Sequence, residues 1–176
     1  LGNKNNLHAN IILIDIKNKS IERFDPYGNV ENDVDIFLHK FFKPIKKFKY
    51  LAPSQFMSRS SYQTLSNESD IRNKKIGDLG GFCLAWCIWY IELRINNNLS
   101  PEKIVEKSIK KLINKNIIFI DFIRNYANNL SDIANNFYNQ SNLDKKNINK
   151  QVPSKEDIEI LKQHILKELA SFKNYK

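Results

Sequence analysis

Apolar and polar positions follow two periods along this chain, and the change from one to the other divides it. Ala9-Asn10-Ile11-Ile12-Leu13-Ile14-Asp15-Ile16 is a nearly continuous β-branched run, which predicts a buried strand. Lys17 to Ser20 reads as a turn. Ile21-Glu22-Arg23-Phe24-Asp25 then alternates with period two, so the two runs predict a hairpin that Pro26-Tyr27-Gly28-Asn29 ends. Over residues 31–42 the period lengthens. Val34, Phe37, Leu38 and Phe41 fall on one helical face, and Pro44 closes the helix. Phe48-Lys49-Tyr50-Leu51 predicts a third strand. From Pro53 to Lys75 periodicity fades among Ser and Asn residues. A short strand at Ser61-Tyr62-Gln63-Thr64-Leu65 is expected there, and the remainder reads as a loop.

The densest apolar stretch follows. Gly77-Asp78-Leu79-Gly80-Gly81 feeds into Phe82-Cys83-Leu84-Ala85-Trp86-Cys87-Ile88-Trp89-Tyr90, a helix apolar on nearly every side, as a central helix of a domain is. It ends near Asn96–Asn98. Ser100-Pro101 supplies an N-cap and a Pro at the first helical position of a helix to about Lys115, with Ile104, Val105, Ile109, Leu112 and Ile113 inward. A third helix runs from about Ile118 to Tyr138, with Phe119, Phe122, Ile123, Tyr126, Leu130, Ile133 and Phe137 inward. Pro153-Ser154 opens a last amphipathic helix carrying Ile158, Leu161, Ile165, Leu169 and Phe172.

Strands first and helices later is an α+β order. The expected fold is a small mixed or antiparallel sheet from the N-terminal half, packed on a central Cys-bearing helix, with further helices in the C-terminal half. The expected organisation is a domain over 1–140, a linker over 141–152 and a C-terminal helix over 153–176.

Composition narrows the class. The 176 residues are 41% hydrophobic and 11% aromatic, which suits a globular chain with a real core rather than a disordered one. The apolar runs fall short of the roughly 18 residues a membrane span needs. Two cysteines four apart on one helix point in directions that disfavour a disulfide. That favours a reducing, intracellular setting. The net charge is +9, and Lys exceeds Arg. A basic surface can meet nucleic acid, an acidic protein or an anionic membrane. These lysines are scattered and no nucleic-acid motif accompanies them, so nucleic acid is the lesser expectation. Nothing in the pattern calls for a metal or a cofactor. The chain begins with Leu1 and shows no signal peptide, which reads as a fragment or a processed product.

Candidate chemistry centres on Cys83. At the first turn of a helix, unpaired N–H groups and the helix dipole favour a thiolate. Taken alone, the stretch reads more simply as two buried, inert cysteines. A cysteine nucleophile needs a base, and the base needs a group to orient it. Of the three histidines, His39 lies in an amphipathic helix and His164 in the terminal helix. His8 immediately precedes the first strand. Asp25 ends its partner strand, so a tight turn places the two opposite one another at the open end of the hairpin. A carboxylate there can hold a histidine tautomer. Cys87 lies one turn beyond Cys83 and points into the core. Trp86 and Trp89 read as packing residues.

The His strand, the Asp strand ending in Asp25-Pro26-Tyr27-Gly28, and Gly81-Phe82-Cys83 at a helix start resemble the clan CE cysteine peptidases. These are the SUMO and ubiquitin-like-protein proteases and the adenovirus maturation proteinase. The Asp78…Cys83…Trp86-Cys87…Tyr90 pattern with Phe122-Ile123-Arg124-Asn125-Tyr126 is most similar to members from large DNA viruses of eukaryotes. The resemblance covers roughly residues 8–126. It implies Cys83 as nucleophile, His8 as general base and Asp25 as the orienting acid. A glutamine would supply an oxyanion donor, either Gln63 or Gln55, with Gln63 preferred. The chain departs from the family at Ala9, where the SUMO proteases carry Trp, and at Phe82-Cys83-Leu84, where they carry Asp-Cys-Gly. The family's segment upstream of the His strand has no counterpart here, so either those elements are missing from a fragment or the domain is reduced. The implied function is a thiol protease or isopeptidase, of deubiquitinase type, cleaving after the C-terminal Gly-Gly tail of ubiquitin or a ubiquitin-like protein. The implied place is the host cytoplasm or nucleus, or the virion. Two alternatives stand beside it: a viral polyprotein maturation protease with the same triad, and a non-catalytic basic binding module.

Overall fold

The computed structural model describes residues 8–28, 33–58, 61–73, 75, 81–141, 159, 163 and 167. It is a mixed α+β structure. Strands β1 (Ile11–Asp15) and β2 (Ser20–Phe24) are followed by helix α1 (Asp33–Phe42) and strand β3 (Lys49–Leu51). Then come a 3-10 turn at Pro53–Gln55, helix α2 (Tyr62–Ser66), a second 3-10 turn at Ile71–Asn73, and helices α3 (Cys83–Asn96), α4 (Pro101–Asn114) and α5 (Phe119–Ser141). The sheet order is β1-β2-β3. β1 and β2 are antiparallel, with Ile11 opposite Phe24 and Asp15 opposite Ser20, as the hairpin pattern predicts. β2 and β3 are parallel, because α1 carries the chain back before β3 begins.

Two apolar clusters hold these elements. One joins Phe24, Tyr62, Trp86, Tyr90, Ile104 and Ile123 with their neighbours. Phe24 stacks on Tyr90 at 4.0 Å between ring centroids. The smaller cluster joins Ile21, Leu38, Phe42 and Tyr50. Across the hairpin's back, the buried Glu22 accepts from Arg94 Nε at 2.7 Å and from the Tyr90 hydroxyl at 3.3 Å. Arg94 also donates to Asp15 at 3.0 Å and to the Leu99 carbonyl at 2.7 Å. Burial pushes the Glu22 carboxyl up, and the Arg94 guanidinium opposes that rise.

Several expectations need correction. Ser61–Leu65 is not a strand. Tyr62–Ser66 is a short helix, fixed by long-range bonds: the Tyr62 hydroxyl pairs with Ser108 Oγ at 2.7 Å, and the Gln63 amide donates to the Pro26 carbonyl at 3.1 Å. The core face of α1 is rotated. Leu38 and Phe42 are buried while Val34 and Phe37 are exposed, because Phe42 is the ring that stacks on Tyr50. Ile133 on α5 is exposed rather than inward, since the helix runs on past the core it packs against, and Ile113 on α4 is exposed because Leu112 takes the inward position; β1, at the sheet edge, is partly exposed rather than buried. The expected linker and C-terminal helix lie outside the described residues, apart from Ser141, Glu159, Gln163 and Lys167. Among the described residues, no helix is long and apolar enough to cross a membrane.

Candidate functional site

His8 lies just ahead of β1 and Asp25 just after β2, so the hairpin register brings them together. His8 Nε2 is 2.7 Å from Asp25 Oδ1. The same oxygen accepts the Tyr27 amide at 3.0 Å, and Oδ2 accepts Arg23 Nη1 at 2.9 Å. Arg23 is fully buried. Its Nε and Nη2 donate to Asp35 on α1 at 2.8 and 2.7 Å. Burial alone would lower the Arg23 pKa, but the bonds to Asp35 and Asp25 outweigh it and hold the guanidinium above its ordinary value. Both oxygens of Asp25 are therefore engaged. With Nε2–H aimed at a carboxylate, the neutral His8 ring keeps its lone pair on Nδ1. The Tyr27 ring lies 4.8 Å from the His8 ring, and Tyr27 is itself 51% exposed.

Cys83 is the first residue of α3 and half-buried. Its Sγ accepts the Ala9 amide at 3.3 Å. One turn on, the fully buried Cys87 donates from Sγ to the Ala9 carbonyl at 3.5 Å. The backbone of one residue thus meets both sulfurs. Burial, then the neighbouring Cys83 and Asp25, pushes the Cys87 thiol up to about 12, which keeps it protonated and inert. Both cysteines are free thiols. Trp86 is wholly buried, packed between Tyr62 and Phe122.

Gln63 is buried on α2. Its Nε2 donates to Glu68 Oε2 at 2.9 Å, and its Oε1 is buried without a partner. A Cβ on Gly81, whose φ is +128, would lie 3.8 Å from Gln63 Nε2. Gln63 therefore borders the entry to α3. Gln55 does something else: its side chain accepts the Ala52 amide and closes the turn after β3. His39 is exposed on α1 beside Tyr50. Gly77 to Gly80 and His164 lie outside the described residues.

Glu68 is the residue the sequence pattern did not reveal. Its Oε2 also accepts the Phe82 amide at 2.9 Å, and its Oε1 accepts Trp86 Nε1 at 2.8 Å and Ser66 Oγ at 2.9 Å. It satisfies a free N–H at the start of α3 and ties α2 to it. Its partners are up to 18 residues away, so no local spacing marks it.

The structure thus gathers His8, Asp25, Cys83 and Gln63 into one neighbourhood. Within it, the His8 ring is bonded to Asp25 and the Cys83 sulfur to Ala9. Among the described residues no hydrogen bond joins that sulfur to the ring.

Comparison with known proteins bears on what this neighbourhood does. The chain is similar to a putative ankyrin repeat protein of Acanthamoeba polyphaga mimivirus, with 32% identity over 159 residues. The match covers 81% of this chain and 20% of that protein, so the chain spans about a fifth of the relative it matches. No family model matches the chain, and no solved structure matches it. The viral origin of the relative agrees with the expectation of a large DNA virus. The expectation of a clan CE cysteine peptidase does not stand, nor does that of a thiol protease, deubiquitinase or polyprotein maturation enzyme. The finding that overturns it is the relative's name, which is that of an ankyrin repeat protein and not of a peptidase.

Proposed function

We propose that the chain is a protein-binding module, the non-catalytic alternative among the readings of its sequence. The observation that carries this is the 32% identity across 159 residues with a protein named for ankyrin repeats. Stacked repeats of that kind present extended binding faces to other proteins. The contact surface we assign to it surrounds the start of α3. Tyr27 and His8 are held over the engaged Asp25, with Cys83 and Gln63 beside Gly81. An exposed aromatic on a polar group that is already ordered suits an interface anchor. The sheet resting on α3 as its central helix is part of the proposal, supported by the Phe24–Tyr90 stack and the Glu22–Arg94 pair. A ubiquitin-like protein or a polyprotein segment is the finer identity carried for the partner. Supporting it is the exposed Gly81 at the entry to α3, which presents no side chain to an extended tail.

Photo-crosslinking tests the reading. A benzoylphenylalanine replaces Tyr27 in cells expressing the chain, and a second variant carries it at the exposed Ile113 of α4. Protein adducts are expected at Tyr27 and not at Ile113, and they persist when Cys83 is changed to Ser. Ubiquitin-derived peptides among them support the finer identity. Adducts to nucleic acid alone, or adducts that vanish with Cys83→Ser, defeat the proposal.

A further inference from the structure

Helix α1 carries a second surface. Leu38 and Phe42 face the core, while Ile36 and Phe37 are 58% and 62% exposed and Val34 is exposed beside them. Single exposed apolar residues are ordinary, but a cluster of them on one short helix marks a contact site. The Phe37 ring sits 6.0 Å from that of Phe41, which steadies it in place.

Beyond the first turn of α1, which carries Asp33 and Asp35, the charge beside this patch is basic. From Ile36 to Lys49 the sequence holds no Asp or Glu, yet it carries Lys40, Lys43, Lys46, Lys47 and Lys49. All five lysines are exposed. A cavity of about 590 Å³ opens beside Ile36 and Lys40, lined also by His39, Tyr50, Ser54 and Gln55. Asp33 and Asp35 line it too, the Asp35 carboxylate being committed to Arg23 and to the Tyr50 hydroxyl.

We infer that α1 docks an acidic peptide segment of a partner protein, an inference that rests on the protein-binding reading above. The partner's Asp and Glu side chains meet Lys40 to Lys49, and its apolar side chains cover Ile36 and Phe37 and enter the cavity. Opposite charge gives orientation and capture rate, and the apolar anchor gives residence. An anionic bilayer fits this surface less well. A bilayer needs a flat apolar face, whereas here there is a concavity with Asp33 and Asp35 in the first turn of the helix. A nucleic acid would leave Phe37 and Ile36 without an apolar complement.

Fluorescence anisotropy tests this on the whole chain, with a fluorescein-labelled peptide of about ten residues that alternates Glu with Leu and Phe. The peptide binds, and added salt weakens the binding. Reversing charge in the triple variant Lys43→Glu, Lys46→Glu, Lys47→Glu raises Kd about tenfold or more, and Phe37→Ser does so separately. These positions are exposed, and circular dichroism checks that the fold is kept. The inference is overturned by absence of peptide binding, by equal binding of a peptide with Lys in place of Glu, or by indifference to both variants. Tighter binding to phosphatidylserine vesicles or to duplex DNA than to the peptide overturns it too. If it fails while the Tyr27 crosslinks to protein persist, only the α1 surface falls. If those crosslinks are lost, the protein-binding reading falls with it.

Discussion

Replacing Arg94 with Met strips the partner from a charge that has no access to water. Glu22 is fully buried, and its strongest bond is the 2.7 Å contact with Arg94 Nε. In the variant only the Tyr90 hydroxyl, at 3.3 Å, remains on that carboxylate. Breaking a buried ion pair by removing one member costs about 3–5 kcal/mol, because the survivor stays desolvated. The lost bond to the more exposed Asp15 adds at most about 1 kcal/mol. Against a typical total of about 5–15 kcal/mol, that is a large fraction. With a urea dependence of about 2 kcal/mol per molar, the midpoint should fall by roughly 1.5–2.5 M. Fluorescence of the buried Trp86 reports the transition. The loss also depends on pH. Glu22 already has a raised carboxyl pKa in the folded state, and removing Arg94 raises it further. The folded state then holds that proton more tightly than the unfolded chain does. The penalty is greatest at neutral pH and shrinks as pH falls toward the unfolded glutamate value of about 4.3. Adding Glu22→Gln to Arg94→Met should restore at least half of the midpoint at neutral pH. A midpoint shift below about 0.5 M, or one that is the same in acid and at neutrality, would refute the reasoning.

Other outcomes follow from the same structure. Iodoacetamide at neutral pH should label Cys83 and leave Cys87, whose thiol is fully buried and pushed up to about 12. Peptide mass spectrometry before and after denaturation reads this, and equal native labelling of both would contradict it. Gly28→Ala should cost about 1–3 kcal/mol, because φ there is +100 and the new Cβ would meet Ser61 Cβ at 2.6 Å and the Ser58 carbonyl at 2.9 Å. Gly81→Ala should cost less, since its nearest neighbours stand at 3.6 and 3.8 Å. Urea titration of the two variants gives the ranking, and the reverse order would show that crowding does not decide it.

What was legible in the sequence was local. The hairpin follows from the alternation on either side of Lys17–Ser20, and its register follows from the turn, so the meeting of His8 with Asp25 could be read in advance. The start of α4 was equally plain, with Ser100 Oγ accepting the Lys103 amide at 3.4 Å ahead of a Pro at the first position. What escaped is set by partners distant in the chain. Tyr62 and Gln63 alternate like a strand but are wound into a helix by Ser108 and Pro26. Glu68 looks like a loop residue until Phe82 and Trp86 close on it. The buried face of α1 is set by Phe42 at the helix end, which outweighs Val34 and Phe37 once Tyr50 packs against it. Function was the least legible. Four side chains drawn together suggest a chemistry, but their residue types do not say whether a reaction takes place there. The relative that overturned the enzymatic reading shares with this chain a segment of about a fifth of its own length.

The parallel pairing of β2 with β3 has a consequence for how the chain folds. The hairpin closes over a few residues and can form within microseconds. β3 must wait until α1 has brought it back, a longer closure for a strand of only three residues. Arg23 makes that step abrupt. Until α1 docks, its guanidinium has Asp25 but lacks Asp35, and a half-docked crossover would leave it buried with half its partners. α1 and β3 should therefore exchange their amide hydrogens as one cooperative unit, separate from the hairpin they complete.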